Sequence, residues 1–420
     1  MKNHSLFTAL KSLRGNPRGC VYPEPLWGIP FHLYSPYVSI YMLAVGLTDK
    51  DIGLILSVSW GFQILLALLS GAVTDKLGRR RTTLIFDILC WTIPSLISAV
   101  ALNFWYFLAA GIINSMWRIT HNSWTCLLVE DAEPRQLVDI YTWIYIANLI
   151  VGFIAPLAGV LIAQFTLVPT VRGLYFFAAF MFTLKAVVTY WMTEETGQGK
   201  IRMEETRHQH VFHILNGYGS VFQTLIRTPR TLYTAGIMLI ISITSLISGS
   251  FWGILVTEKL HLPEEMIAVF PFIKSAIMLA FFFFVMPHMK KLHFKLPMVV
   301  GFLGYVVSQI VLLTAPEQGF AILVVSVLLE ACSIAAVNPL VDQLAVLTIE
   351  ARERARIQSI LYMGIILLTS PFGWIAGNLS EINKDFPFLL NIGLFVVGAV
   401  LAYIAGSQKT FSPQPEPVAG

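Results

Sequence analysis

Long runs of apolar residues make up most of the chain, and short polar connections separate them. Within each run the apolar positions are continuous and do not alternate with polar ones, which indicates helices and not strands. A helix needs about 20 mostly apolar residues to cross the hydrocarbon core of a bilayer. The runs predict twelve transmembrane helices, α1 to α12 in chain order, over residues 26–46, 52–74, 82–101, 104–129, 136–165, 171–193, 232–256, 265–286, 296–315, 319–344, 356–379 and 386–407.

The longest polar connection, residues 194–230, divides the predicted helices into two groups of six. Sliding the second group back by 215 residues superimposes the two patterns without a gap, so that Pro156 of α5 aligns with Pro371 of α11. Internal repeats of this kind are typical of transporters whose two halves rock around a midplane site. The predicted fold is an all-α polytopic membrane protein of two six-helix bundles. Its predicted segments are an N-terminal stretch (1–25), a first bundle (26–193), a central loop with an amphipathic helix (194–230), a second bundle (231–408) and a tail (409–420).

The composition agrees with a lipid environment. Of all residues, 56% are apolar and 12% are charged, and the mean hydropathy is +0.71, whereas soluble domains carry about 25% charged residues. The net charge of +4 gives no reason to expect a nucleic-acid partner, because the basic residues are confined to particular loops. The four cysteines show no disulfide or metal spacing. We therefore expect neither a metal site nor a cofactor.

The distribution of lysine and arginine predicts the orientation. With the N terminus inside, the predicted cytoplasmic segments hold 21 Lys and Arg residues and the external segments hold four. Such an asymmetry favours the cytoplasm for the basic loops. The prediction is a multi-pass plasma-membrane protein with both termini in the cytoplasm. The three remaining cations, Arg118, Lys185 and Lys274, fall inside predicted helices.

The turn between α2 and α3 reads SGAVTDKLGRRRTT over residues 70–83 and concentrates charge that the chain otherwise avoids. Because glycine lacks a side chain, Gly71 would let α2 approach a neighbouring helix closely, and Gly78 would permit a tight turn. Asp75 is placed to accept backbone hydrogen bonds at a nearby helix N terminus, where the macrodipole favours an anion. The turn as a whole is predicted to act in gating through Gly71, Asp75, Lys76, Gly78, Arg79, Arg80 and Arg81.

This order of residues fills every position of the signature loop of the major facilitator superfamily, and the chain resembles that family over essentially its whole length. The resemblance implies a secondary transporter in which the loop clasps the start of α11, near Arg354–Gln358, and stabilises closure of the inner gate. Arg79 is expected to pair with Glu130 or Asp131 at the end of α4. The alternative is that the arginines only enforce topology, which leaves both glycines and the aspartate unexplained. The corresponding turn of the second half, residues 287–296, keeps basic residues and lacks the glycines and the acid.

Ionisable groups inside spanning helices are costly and usually face a cavity or one another. The resemblance implies a central cavity lined chiefly by α1, α4, α7 and α10. On α4, Arg118 has Asn114 and His121 within about one turn, and α10 carries Glu330 and Asn338. We hypothesise that Glu330 binds a proton and that Arg118 binds an anionic substrate group or pairs with Glu330. The alternative is a permanent ion pair that holds two helices in register.

Further polar residues in the helices have weaker patterns. His32 of α1 is a candidate for proton relay or ligand binding, and otherwise packs as a neutral residue. Asp87 of α3 is a candidate for the charge network of the gate. Lys185 of α6 and Lys274 of α8 are expected outside the innermost ring, where they snorkel or form structural pairs. Tryptophans that could stack on a substrate ring, or lie at the membrane interface, are Trp117, Trp124 and Trp252.

One sequence pattern, in α5, bears on the direction of transport. Residues 151–159 read VGFIAPLAG and partly resemble the family's antiporter signature, keeping Pro156 and Gly159. A proline kink with small neighbours suits helix contacts that rearrange. The pattern favours export, and uptake of a sugar or organic anion is the alternative.

Proton coupling is expected because no nucleotide-binding stretch such as G-x-x-x-x-G-K-[ST] occurs. The expected partners are a small solute, protons and the lipid bilayer, and the expected state is a monomer. A membrane enzyme or a sensor on the same fold is the competing class. An enzyme is disfavoured because the ionisable residues are scattered one per helix and neither HExxH nor GxSxG occurs.

Overall fold

The structure, a computed structural model, describes residues 13–132, 137–207, 229–285, 295–347 and 354–407. Helices account for nearly all of these residues, and no strand occurs among them. The predicted amphipathic helix of the central loop lies outside the described residues, as does most of the basic turn 287–296.

The first half of the chain forms α1 to α6, with ends a few residues from the predicted ones. Pro36 lies in a short 3-10 turn that interrupts α1, and Pro156 begins the second piece of α5, which suits a residue without a backbone N–H. The bounds are Glu24–Tyr34 and Val38–Ala44 for α1, Asp49–Leu77 for α2, Arg79–Ala99 for α3, Phe104–Asn114 and Trp117–Val129 for α4, Leu137–Gly152 and Pro156–Phe165 for α5, and Leu167–Met192 for α6.

The second half repeats this order with fewer interruptions, and a short helix, Gly197–Thr206, follows α6. Two helices of the second half extend into irregular turns, α7 through a π-helical turn and α8 from a 3-10 turn. The bounds are Pro229–Ile254 for α7, Val269–Phe284 for α8, Lys295–Leu313 for α9, Phe320–Leu347 for α10, Arg354–Ile382 for α11 and Phe386–Ser407 for α12.

Ten of the described helices are long and apolar enough to cross a membrane. The two runs outside this group, α1 and α4, are each broken once near their middle. Neither break follows from the apolar pattern, which is continuous through both runs. The number of twelve spanning helices is consistent with this arrangement and stays a prediction.

The two halves meet through α2 and α11. We call the end of the bundle that carries Arg79 the basic side and the end that carries Asp49 the opposite side. Near the opposite side, a Cβ built on Gly377 would lie 2.9 Å from the Cα of Gly53, so only glycine allows this approach. Asp49 also accepts hydrogen bonds from Ser380 and from Lys384 of the second half.

All described hydrogen bonds and ion pairs between the halves lie nearer the opposite side. The deepest of them joins Ser57 of α2 to Ser370 of α11, with a donor–acceptor distance of 2.6 Å. A Cβ at Gly71 would meet no described atom within 4 Å, so close helix packing at this glycine stays a prediction. The described contacts show the halves closed against each other at the opposite side.

Replacing Gly377 with valine should push α2 and α11 apart. We expect a loss of about 1–3 kcal/mol in the free energy of unfolding, because an overpacked contact must shift backbone. The measurement is the thermal unfolding midpoint of the purified protein in detergent. Gly364→Val in the same helix is the matched control, because a Cβ there would meet no described atom within 4 Å. Equal shifts in both variants would contradict the proposed contact.

Candidate functional site

A charge network organises the basic side. The Arg79 guanidinium is nearly buried and lies 3.0 Å from Asp75 and 3.1 Å from Glu130, so it joins α2, α3 and α4. Asp75 also pairs with Arg202 at 3.0 Å, which attaches the helix Gly197–Thr206 to the same network. An arginine between two carboxylates is held by charge-assisted hydrogen bonds, which are stronger than neutral ones.

The turn itself is built around Gly78 and Glu195. Gly78 has a φ of +84°, a conformation that side-chain-bearing residues rarely adopt, and this lets α3 start directly after α2 ends. The carboxylate at the N terminus of α3 belongs to Glu195, which accepts from the backbone N–H of Arg79 at 2.8 Å and of Arg80 at 3.1 Å. The expectation that Asp75 receives such backbone donors is wrong, because its carboxylate is occupied by two arginines. The sequence signal for Glu195 was its place in a pair of acids directly after α6.

The remaining residues of the turn have different surroundings from Arg79. Arg80 donates to the carbonyl oxygen of Tyr190 at 2.8–2.9 Å and packs over its ring, which fixes α3 to the end of α6. Lys76 and Arg81 are exposed. Asp131 accepts from the side-chain amide of Asn16 at 3.0 Å. The side chains of Arg354–Gln358 lie outside the described residues, so the contact of the turn with α11 stays a prediction.

Asp87 lies in a different environment from the gate. It is eight residues, about 12 Å, along α3 from Arg79. One carboxylate oxygen pairs with Lys185 of α6 at 2.8 Å and the other accepts from Thr120 of α4 at 2.6 Å. Asp87 is thus not part of the Arg79 network, and Lys185 is paired and buried instead of snorkelling. The ion pair ties three helices of the first half together.

A cavity of about 360 Å³, which we call the central cavity, lies among α7, α8, α9, α10 and α12 of the second half and reaches Pro36 of α1. The expected lining by α4 is not found, since no residue of α4 borders it. The cavity contains an ion pair between Lys274 of α8 and Glu330 of α10, with an N–O distance of 3.0 Å. The Lys274 side chain is 33% exposed and the Glu330 side chain 13%, so the pair faces the cavity. Polar and aromatic residues complete its lining, among them Thr244, Ser245, Ser248, Trp252, Tyr305 and Asn338.

The partners of Glu330 and Arg118 differ from the hypothesis. Glu330 pairs with Lys274, so the suggested Arg118–Glu330 pair is wrong for this structure. Arg118 instead donates to the side-chain oxygen of Gln63 at 3.0 Å and packs 4.0 Å over the ring of Trp117. Among the described residues, no acid lies within 4.0 Å of Arg118. The sequence analysis did not place Lys274 at the cavity, because the family resemblance implied that α8 lies outside the innermost ring of helices.

The remaining polar candidates are separated from the central cavity. Asn114 donates to the Cys90 carbonyl at 2.8 Å, within the π-helical turn of α3, and so binds α4 to α3. The ring nitrogen Nδ1 of His32 lies 2.9 Å from the carbonyl oxygen of Gly28, one turn earlier in α1. His121 lines a second cavity in the first half, with its ring centroid 5.5 Å from that of Trp117.

The proline and glycine of the partial antiporter signature lie at a contact between the halves. Pro156 opens the second piece of α5 after an interruption at residues 153–155. One turn later, Gly159 lies against the backbone of Glu265, where a Cβ would meet the carbonyl oxygen. Gly159 therefore allows α5 to approach the start of α8.

Comparison with known proteins decides the family. The model of the family described as "Major Facilitator Superfamily" matches residues 28–364. The chain belongs to the Major Facilitator Superfamily. The predicted family and the all-α polytopic fold class are confirmed, and this superfamily member is a multi-pass membrane transporter of small solutes. No curated protein matches the chain.

Solved structures show the same superfamily fold at low identity. The nucleoside transporter NupG superimposes with a TM-score of 0.70 at 14% identity, covering 94% of this chain and 100% of that one. A bacterial homologue of the human lysosomal transporter Spinster, in an inward-facing and unoccupied conformation, gives 0.68 at 12% identity, covering 99% and 100%. The human organic anion transporter MFSD10 gives 0.58 at 16%, covering 94% and 97%. At these identities the likeness extends to the fold alone.

Removing the carboxylate charge at the N terminus of α3 should weaken the basic side. We expect Glu195→Gln to lower the free energy of unfolding by about 1–2 kcal/mol, because an anion at a helix N terminus is lost. The measurement is the thermal unfolding midpoint in detergent. Glu194→Gln is the matched control, since the side chain of that neighbour is exposed. An unchanged midpoint for Glu195→Gln would refute the capping role.

Breaking the buried Asp87–Lys185 ion pair should lower the free energy of unfolding by more than Glu195→Gln does. Lys185→Met leaves Asp87 buried without its cation, and we expect a loss of about 3–5 kcal/mol in the free energy of unfolding. The double variant Asp87→Asn, Lys185→Met should recover most of the loss, because it leaves no unpaired charge. Thermal unfolding of both variants tests this expectation. A double variant no more stable than Lys185→Met would contradict it.

Proposed function

We propose that the protein is a proton-coupled secondary transporter that moves a small solute by alternating access through the central cavity. The observation that carries the proposal is the Lys274–Glu330 ion pair, which lies within two spanning helices and borders the cavity. An intramembrane ion pair exposed to a cavity is expensive to maintain for structure alone. Its position next to the solute path supports a role in coupling.

The pair offers two chemical states to a solute. When Glu330 is ionised, its carboxylate neutralises Lys274, and the two side chains hold α8 and α10 together. When Glu330 takes up a proton, the attraction is lost and the ammonium of Lys274 becomes available to a solute. Because protonation of Glu330 would remove the partner of Lys274, proton binding and solute binding at this pair are linked. This linkage is what a proton-driven transporter needs.

Arg118 supplies a second cation for the solute. It lies near the middle of α4, and its charge has no described acid within 4.0 Å. A guanidinium without a carboxylate partner can bind an anionic group in two-point geometry. We assign to Arg118 the binding of an anionic group of the solute, with Asn338 of the central cavity as a further hydrogen-bonding candidate.

The proposed location is the plasma membrane. The basic side of the protein and both termini then lie in the cytoplasm. The excess of lysine and arginine in these loops supports this orientation. In this orientation the structure is closed toward the exterior. Export is the proposed direction, supported by the partial signature around Pro156 and Gly159, and the protein acts as a monomer. Joint binding of a proton and an anionic group at Lys274 and Glu330 would instead drive uptake. Uptake of a sugar or organic anion is the second candidate.

Glu330→Gln should abolish accumulation driven by a proton gradient and keep exchange of solute for solute. The measurement uses proteoliposomes with an imposed proton gradient, assayed for uptake and efflux across sugars, organic acids and amphiphilic drugs. We expect about a tenfold or larger loss of gradient-driven transport, equivalent to about 1.4 kcal/mol. Glu317→Gln is the matched control because that glutamate is exposed outside the cavity. Gradient-driven transport that survives in Glu330→Gln would refute the proton site.

A further inference from the structure

A second cavity, of about 300 Å³, lies within the first half of the protein. It is bordered by α1, α3, α4 and α6 and shares no lining residue with the central cavity. Four of the ten tryptophans of the chain line it, namely Trp27, Trp91, Trp117 and Trp124. The transport proposal uses neither this cavity nor its aromatic lining.

The charges around this cavity leave one carboxylate uncompensated. Glu24, Asp87 and Lys185 all line it. Asp87 already holds Lys185 and Thr120, one on each oxygen. Glu24, in contrast, has no cation within 4.0 Å among the described residues. With all three groups ionised, the lining side chains themselves carry a net charge of −1, and Arg118 packs on the lining residue Trp117 at 4.0 Å. Glu24 is the lining carboxylate without a close cation, and it favours a cation as occupant.

The tryptophans provide a surface suited to an organic cation. Trp27 and Trp91 meet edge to face at 5.2 Å, and Trp27 stacks on Phe31 at 4.7 Å, so the rings form a fixed aromatic wall. The face of an indole ring attracts cations, and quaternary ammonium groups are bound by such aromatic walls. A metal ion would instead require several oxygen or nitrogen ligands, which a wall of indole rings does not supply.

Trp124 adds a second, independent indication. Its indole N–H is buried and has no hydrogen-bond acceptor among the described residues. A buried donor without an acceptor is costly, so an occupant that carries an oxygen would be favoured. The lining thus combines a carboxylate, aromatic faces and an unused donor.

We propose that this cavity binds a small alkylammonium compound that carries a hydroxyl or ether oxygen. Glu24 neutralises the ammonium group, Trp27 and its neighbouring tryptophans pack on it, and the Trp124 N–H donates to the oxygen. His121, which is exposed, also lines the cavity. The site is separate from the proposed solute path through Lys274 and Glu330.

The test is binding of radiolabelled choline to the purified full-length protein in detergent. Saturable binding is expected, with competition by unlabelled choline and none by 3,3-dimethyl-1-butanol, which has the same shape without the charge. Glu24→Gln should weaken binding by about tenfold or more, since charge-assisted contacts are the strong ones, and Glu24→Asp should keep part of it. Thermal unfolding of each variant shows whether it is folded.

Two further variants test the aromatic contact and the independence of this cavity from the solute path. Trp27→Leu should weaken choline binding about tenfold through loss of the aromatic face, whereas Trp105→Leu, at an exposed tryptophan outside the cavity, should not. Glu330→Gln should bind choline as the unmodified protein does, even where gradient-driven transport is lost. Absence of saturable binding, equal competition by the neutral alcohol, or folded Glu24→Gln protein with unchanged affinity would overturn the proposal.

Discussion

A charged side chain inside a spanning helix loses its water, and lipid provides nothing in exchange, so each such charge must find its partner within the protein. The three cations that the sequence predicts inside the spanning helices do this in three ways. Lys185 is buried against Asp87, Lys274 pairs with Glu330 at the edge of a cavity, and Arg118 is held by an amide oxygen and an indole ring. Lys185 and Asp87 thus form a buried structural pair, whereas Lys274 with Glu330 and Arg118 are the groups to which we assign a role in solute binding.

The contacts at the two ends of the bundle differ in kind. At the opposite side, the halves meet through the glycine backbones of α2 and α11, a few hydrogen bonds and the ion pair of Asp49 with Lys384. At the basic side, the described ion pairs of Asp75, Arg79 and Glu130 connect helices of the first half with the helix Gly197–Thr206. Opening the opposite side would separate the buried carboxylate of Asp49 from Lys384 of the second half. The described ion pairs of the basic side, in contrast, lie within the first half and the helix that follows it.

The same reasoning about charge gives the two cavities different chemistry. The central cavity has a matched pair, with the cation Arg118 elsewhere on the proposed path, so an anionic solute can be neutralised there. The lining of the first-half cavity has two carboxylates and one ammonium, with Arg118 packed on Trp117, together with four indole rings, and we propose a cation as its occupant. The distinction depends on one ion pair in each case, Lys274–Glu330 and Lys185–Asp87. The sequence alone did not distinguish the surroundings of Lys274 from those of Lys185.

The sequence by itself determined the helical runs, the division into two halves, the glycine at the turn before α3 and the family, because hydropathy and turn chemistry are local properties. It predicted continuous helices where α1 and α4 are broken, since breaks depend on neighbouring packing as much as on a local proline such as Pro36. It also misplaced partners, giving Asp75 the role of Glu195, and Arg118 the role of Lys274. Only the tertiary structure decided which residues are partners. An ion pair requires atoms within about 4 Å, and that distance depends on how helices far apart in the chain pack together.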